Sequence, residues 1–343
     1  MRYFKFDWFM KGMLIAVALG FAWPAPGAHG GFLQPEWLNR IGVALVFFLN
    51  GLGLSLAAMR DGALRWRAHL LIQLSTFLLF PLLGVALLAL TRSWLSPELQ
   101  IGFFYLCALP STVSSSVALT VAARGNVPVA VFNATLSSLI GVVITPLWMA
   151  WMLGKTGVQF PIGPVIQDLL IWVLLPLVLG QFARGWLGAW AGRHSRVIQK
   201  VDRSTILMLI YTSFADSVQQ GIWSRYGWLA VAETLLGTAL LFALVLVLVS
   251  LLARWTGLAL PERIAVIFCG SKKTLAAGIP MAHLIFGANP ALGLILMPLM
   301  IYHPLQLAIG GVLAQRWAER DAAAAAAAAT ALAAAPAAVQ GAD

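Results

Sequence analysis

Two lysines stand side by side in the stretch FCGSKKTLAAGIP, residues 268–280, where most of the neighbours are apolar. Ionisable groups at membrane depth mark solute or ion pathways, and a lysine ammonium offers three donors and no acceptor. Lys272 and Lys273 therefore suit an anion and would repel a metal cation. Adjacent residues on a helix point about 100° apart, so one ammonium can face a cavity while the other turns elsewhere or reaches toward an interface. Lys273 is read as the cavity-facing one. A second polar cluster, LPSTVSSS at 109–116, sets Ser111, Thr112, Ser115 and Ser116 beside a proline, as Cys269, Ser271 and Thr274 accompany the lysines. Asn133, Thr135, Ser137 and Ser138 follow on the next apolar run, where side-chain oxygens suit a hard cation or a bond to a neighbouring helix. Asp216 and His303 also lie inside apolar runs, as candidates to relay protons or to pair with a lysine. Glu233 and His283 fall near the ends of such runs, where solvation is expected.

These groups need a membrane around them, and composition supplies it. Of 343 residues, 61% are hydrophobic and 10% charged, against about 25% charged in a soluble domain. Leu235 to Ala253 is a charge-free run of nineteen residues, long enough to cross a hydrocarbon core of about 30 Å. The formal charge of +10 is scattered between apolar runs rather than gathered in a stripe, which excludes a nucleic-acid partner. Cys107 and Cys269 have no metal or redox spacing and read as buried thiols. The basic Arg2, Lys5 and Lys11 ahead of an apolar segment mimic a signal peptide, but with so many apolar runs behind it that segment reads as the first membrane helix.

Hydropathy divides the chain into ten spans, near 8–24, 37–58, 68–90, 100–122, 127–153, 163–183, 204–220, 228–253, 262–286 and 291–314. With the N-terminus in the cytoplasm, sixteen Lys and Arg fall on the inner side and four, Arg40, Arg92, Lys155 and Arg225, on the outer. That excess predicts both termini inside, and an inner loop at 184–203. Ten spans make two halves of five, residues 1–157 and 158–320, which must be inverted relative to each other. The Ala-rich tail at 321–343 packs no core. Spans four and nine, five apart, are both interrupted: at 109–116, and at 269–274 and again at Gly278-Ile279-Pro280. Spans five and ten share a polar-proline pair, Thr145-Pro146 and His303-Pro304. In lipid each freed backbone group must meet protein or a watered cavity, so matched breaks point to a transport site near the midplane.

On these residues the chain resembles the bile acid:sodium symporter family. The resemblance runs through LPSTVSSSVALTVAARGNVPVAVFNATLSSLIGVVITP (109–146), FCGSKKTLAAGIPMAHLIFGA (268–288) and PLMIYHP (298–304), with DWFMKGMLIAVAL, FFLNGLGLSL and IYTSFADS in support, and covers residues 5 to 318. It is most similar to the branch of bacterial sodium-dependent transporters whose eukaryotic member is linked to calcium regulation. The resemblance implies an all-α membrane protein of ten helices in a 5+5 inverted repeat, with helices four and nine crossing at their breaks and a panel moving against a core. It also implies Na⁺-coupled symport of an organic anion such as a bile acid, a sulfate conjugate or a carboxylate. No further cofactor is expected, and the protein belongs in a lipid bilayer, the inner membrane of a bacterium.

The departures from the family pattern bear on coupling. Where sodium-coupled members carry a Ser-Asn pair, this chain has Ser115 and Ser116; where they carry a Glu and then Gln-Asn, it has Cys269, Lys273 and Thr274. A residual Na⁺ site would fall to Ser115, Ser116 and Asn133, while Lys273 reads as a tethered cation at a sodium position. Two other classes compete. An intramembrane enzyme would need a GxSxG elbow, an HExxH pair or an acidic metal repeat, none of which occurs. A regulatory membrane protein that transports nothing would accumulate no solute in vesicles.

Overall fold

A computed structural model of the chain describes residues 8–53, 64–155, 162–287 and 289–334, and no strand occurs among them. The first half runs through α1 (Trp8–Ala22), α2 (Pro35–Gly53), α3 (Trp66–Leu74), α4 (Phe80–Thr91), α5 (Pro97–Ala108), α6 (Ser114–Ala122) and α7 (Val127–Lys155). The second continues through α8 (Ile162–Leu169), α9 (Leu175–Arg193), α10 (Ser195–Gln219), α11 (Ile222–Trp255), α12 (Leu260–Gly270), α13 (Leu275–Phe286) and α14 (Leu292–Ala334). Among the described residues six helical stretches are long and apolar enough to cross a membrane, from Trp66–Thr91 to Leu292–Arg320. Exposed tryptophans stand at or beside helix ends, as at Trp23, Trp37, Trp66, Trp94 and Trp255, where indole rings suit lipid headgroups. Arg2, Lys5 and Arg60 of the charge count lie outside the described residues.

Prolines explain the irregular turns. Pro81 has no N–H to return to the preceding turn, and Ser75–Leu79 forms a π turn in which the Phe80 N–H reaches Ser75 O. Two carbonyls, Thr76 and Phe77, are thereby left without their helical donors. The Trp148 indole N–H takes Phe77 O at 3.0 Å. Pro176 produces the same effect at Leu170–Leu174.

The two expected interruptions are present, at 109–113 and 271–274. Leu109, held extended at φ −67 and ψ 154, is the residue before Pro110, and a following proline disfavours helical backbone there. The further break expected at Gly278-Ile279-Pro280 does not occur, since α13 continues through Pro280. Nor do Pro146, Pro298 and Pro304 interrupt α7 and α14. The Ala108 carbonyl, left over at the end of α5, is taken by Thr145 Oγ1 at 2.9 Å.

Two expectations about the ends of spans are corrected. The 184–203 loop is helical, because α9 runs to Arg193 and α10 starts at Ser195 with only His194 between. The Ala-rich tail continues α14 as far as Ala334, in keeping with alanine's helix propensity.

The helices sort into two groups. Helices α1 and α2 pack on α9 and α10, while α3–α7 pack with α11–α14. Contact between α2 and α9 is backbone to backbone. A Cβ at Gly51 would sit 2.1 Å from Leu177 O, and one at Gly180 would sit 2.1 Å from Phe48 O, so only glycine fits either place.

Candidate functional site

The two breaks are hydrogen-bonded to each other. Thr274 N–H donates to Pro110 O at 3.0 Å, Ser111 Oγ to Cys269 O at 2.5 Å and Ser116 Oγ to Phe268 O at 3.1 Å. Helix ends leave N–H and C=O groups without intrahelical partners, and here each break supplies donors for the other's carbonyls. Ser137 Oγ accepts the Ser111 N–H at 2.9 Å. Thr112, Ser115 and Ser116 share hydroxyl bonds of 2.7 and 2.8 Å at the start of α6.

Lys273 is fully buried. Its ammonium donates to Thr76 O at 2.9 Å, Cys107 O at 2.8 Å and Leu109 O at 2.5 Å, above the Phe80 ring at 4.0 Å. Each acceptor has a traceable origin. Thr76 O was released by Pro81, and the other two close α5, where the helix dipole is negative. The expectation that Lys273 presents its charge to a cavity is therefore corrected: all three ammonium protons are taken by backbone, and none is left for a solute. Lys272 is the other case. It is 1% exposed, and its Nζ has no hydrogen-bond partner among the described residues.

Two residues absent from the sequence-derived set complete the break. Gln306 Oε1 accepts the Lys273 N–H and its Nε2 donates to Lys273 O, both at 2.9 Å, standing in for a paired peptide. Tyr302 OH donates to Ser271 O at 2.9 Å. Both lie on α14 within reach of the motif PLMIYHP, and a glutamine two residues after His303-Pro304 was the only available signal.

The remaining candidates scatter. Asn133 does not join Ser115 and Ser116 through any direct bond. Its Nδ2 lies 2.6 Å from His69 Nδ1 and its Oδ1 accepts from Gln73 Nε2 at 3.0 Å. Cys269 Sγ faces Ala130 O at a long 3.9 Å, Thr135 is buried and Ser138 bonds its own helix at Ala134 O. His303 Nδ1 lies 3.1 Å from Gln306 Nε2, its ring edge-on to Phe9, so it supports the break from outside. Asp216 forms no ion pair with either lysine among the described residues, and it accepts the His29 backbone N–H at 3.0 Å.

Asp216 lines a cavity of about 360 Å³ between the two helix groups, together with Asn39, Arg40, Asp168, Ser213 and His283. His283, expected to be solvated, instead bridges the groups: its ring nitrogens lie 2.9 Å from Ser213 Oγ and 3.3 Å from Asn39 Nδ2. Solvation is also incomplete at Glu233, half-buried well inside α11. At the cavity mouth Glu36 accepts the Gly30 N–H, and that bond, followed by its own N–H and the His29 charge, holds its carboxyl below the usual range.

The model of the SBF-like CPA transporter family matches residues 7–319. An uncharacterized Pseudomonas aeruginosa protein is 45% identical over 291 residues, 84% of this chain and 87% of its own. Escherichia coli YfeH is 38% identical over 91% of this chain and 92% of its own. The mouse sodium/bile acid cotransporter 7 is 34% identical over 90% of this chain and 91% of its own. A match across nearly the whole chain, on an all-helical apolar frame, leaves one conclusion: the chain belongs to the SBF-like CPA transporter family and is a membrane transporter, not an enzyme.

Proposed function

We propose that this protein moves a small organic anion across the membrane by alternating access around the two broken helices, without a requirement for sodium. The fold behind this reading is ten spans in a 5+5 inverted repeat, 1–157 and 158–320, with α5/α6 and α12/α13 as spans four and nine crossing at their breaks. The panel is α1, α2, α9 and α10, and the cavity beside His283 is the access path on one face. The protein sits in a bacterial inner membrane with both termini cytoplasmic.

The observation that carries the coupling statement is the Lys273 ammonium, held by the carbonyls of Thr76, Cys107 and Leu109. Carbonyls at half-helix ends are the ligands by which transporters of this kind hold a coupling cation. The mouse relative carries sodium and bile acid in its name. Here a covalently attached cation fills the carbonyl cage permanently, so no ion need arrive for the breaks to be compensated. A Na⁺ at Ser115, Ser116 and Asn133 has less support, because the two serine hydroxyls are chained through Thr112 and on to Phe268 O, while Asn133 Oδ1 lies elsewhere and accepts from Gln73.

Uptake of labelled taurocholate into proteoliposomes, with Na⁺ replaced by choline, tests this. The expected result is a rate changed by less than about twofold, far below the order-of-magnitude loss expected when a coupling ion's binding energy is withdrawn. A steep loss in choline would overturn the reading of Lys273. Sidedness is tested separately, by reporter fusions after Lys155 and after Arg196. They are expected to report opposite faces, and the same face at both sites would remove the ten-span arrangement.

A further inference from the structure

The ring of His283 belongs to α13 of one helix group, yet its hydrogen-bond neighbours among the described residues all belong to the other. Its Nε2 lies 3.0 Å from Leu209 O and 2.9 Å from Ser213 Oγ, both on α10, and its Nδ1 lies 3.3 Å from Asn39 Nδ2 on α2. A carbonyl oxygen can only accept, so Nε2 carries the hydrogen and Nδ1 keeps its lone pair. Asn39 turns its N–H to that lone pair because its Oδ1 takes the Thr212 hydroxyl at 3.0 Å. Both ring nitrogens are thus matched, but only while the imidazole is neutral.

A proton on Nδ1 would set N–H against N–H across the boundary and bring a charge to a half-buried ring. Turning the Asn39 amide over would restore the bond but leave the charge, and no carboxylate among the described residues pairs with His283. A charge held without a partner at such a place is unfavourable. The other titratable groups lining the cavity are Glu36 and Arg40 on α2, His29 before it, Asp168 on α8 and Asp216 on α10. Arg40 is paired with Asp168 at 3.8 Å and Glu36 with His29 at 2.7 Å, while Asp216 accepts the His29 backbone N–H.

We propose that neutral His283 is the latch that holds the cavity-open arrangement, tying α13 to α2 and α10, and that a proton on Nδ1 releases it. The inference rests on the alternating-access reading above, in which the panel containing α2 and α10 moves against the core containing α13. Any such movement must break these bonds, and it breaks them more readily once one has been lost to protonation. His283 is therefore a positioning residue for transport, which sets the balance between open and closed cavity without touching the solute.

The test reads cavity opening directly. Asn289→Cys, at a half-buried residue lining the cavity, is combined with wild-type His283, His283→Gln or His283→Leu, and labelled in detergent with a charged thiol reagent; the native Cys107 and Cys269 are buried. Glutamine offers one donor and one acceptor, as neutral imidazole does, and takes no proton. The labelling rate of the His283 protein relative to His283→Gln is expected to be near one at about pH 8 and to fall about threefold or more by about pH 5, as the imidazole charges. The ratio cancels the thiol's own titration and that of His29, which all three proteins share. His283→Leu is expected to label several-fold more slowly than His283→Gln at every pH. A ratio that stays constant across this range would overturn release by the proton, and His283→Leu labelled as fast as His283→Gln would overturn the latch, even if its unfolding temperature fell. Should His283→Leu fail to fold, the ratio of His283 to His283→Gln decides alone. Taurocholate uptake by the wild type is measured separately. Uptake together with unchanged labelling leaves transport standing without the latch, whereas the expected labelling without uptake upholds the latch and counts against the anion reading.

Discussion

Lys273→Met is expected to unfold far more readily than wild type, with a loss of about 3–5 kcal/mol, the range for removing one partner of a buried charged network. Methionine matches the length of the lysine stem but brings no donors. The carbonyls of Thr76, Cys107 and Leu109 would then face one another in a dry interior, two of them at the negative end of α5. The direction distinguishes the two lysines, since Lys272→Met is expected to be neutral or stabilising. Lys273→Ala adds a chemical test. If the ammonium stands where a cation would bind, truncation opens a carbonyl-lined site, and Na⁺ should raise the unfolding temperature of Lys273→Ala relative to choline while leaving wild type unchanged. A Lys273→Met protein as stable as wild type in detergent would show that the three contacts contribute nothing.

The second large effect is expected at Gln306. Replacing it with leucine, close in volume, leaves the N–H and C=O of Lys273 without partners, at about 1–3 kcal/mol for each buried group. The 271–274 break depends on this side chain because helical bonding in α12 ends with the Ser271 N–H on Ile267 O, and the Lys273 backbone groups find their partner in Gln306. Loss of stability should be accompanied by loss of taurocholate uptake, as the break is the element on which alternating access turns. His303→Ala, which removes only the neighbour of Gln306, is expected to cost less than half as much. Thermal unfolding of the three proteins decides the order, and Gln306→Leu no less stable than His303→Ala would refute it.

Much of the architecture was legible because the bilayer restricts what a chain can do. A charge-free run such as 235–253 has no stable form in lipid other than a helix, and α11 contains it. Breaks at 109–113 and 271–274 were legible for a related reason, since Pro110 and the Gly-Ser-Lys-Lys cluster cannot continue a helix cheaply. Proline was a poorer guide elsewhere. Pro146, Pro280 and Pro304 sit inside continuous helices, because neighbouring segments or a locally widened turn can absorb a single missing bond. Helix ends were misplaced at 184–203, where no hydrophobic signal separates α9 from α10.

What the sequence by itself determined is local: an all-helical membrane protein, two interrupted segments, and two ammonium groups beside one interruption that cannot point the same way. Only the tertiary structure decided which ammonium is satisfied. The acceptors of Lys273 come from Thr76, 197 residues away, and from Cys107 and Leu109, 166 and 164 residues away. Spacing within the motif carries no trace of them. The same holds for Gln306, which looks like an ordinary polar residue until α14 is laid along the break. Asp216 is the converse: an ionisable group in an apolar run, yet its carboxylate accepts the His29 N–H at the cavity and pairs with neither lysine. Local sequence sets which backbone groups are released, because that follows from proline and helix geometry. The partner that meets each released group is set by how helices from distant parts of the chain pack, and buried polar groups are stable only where that packing brings donor and acceptor together.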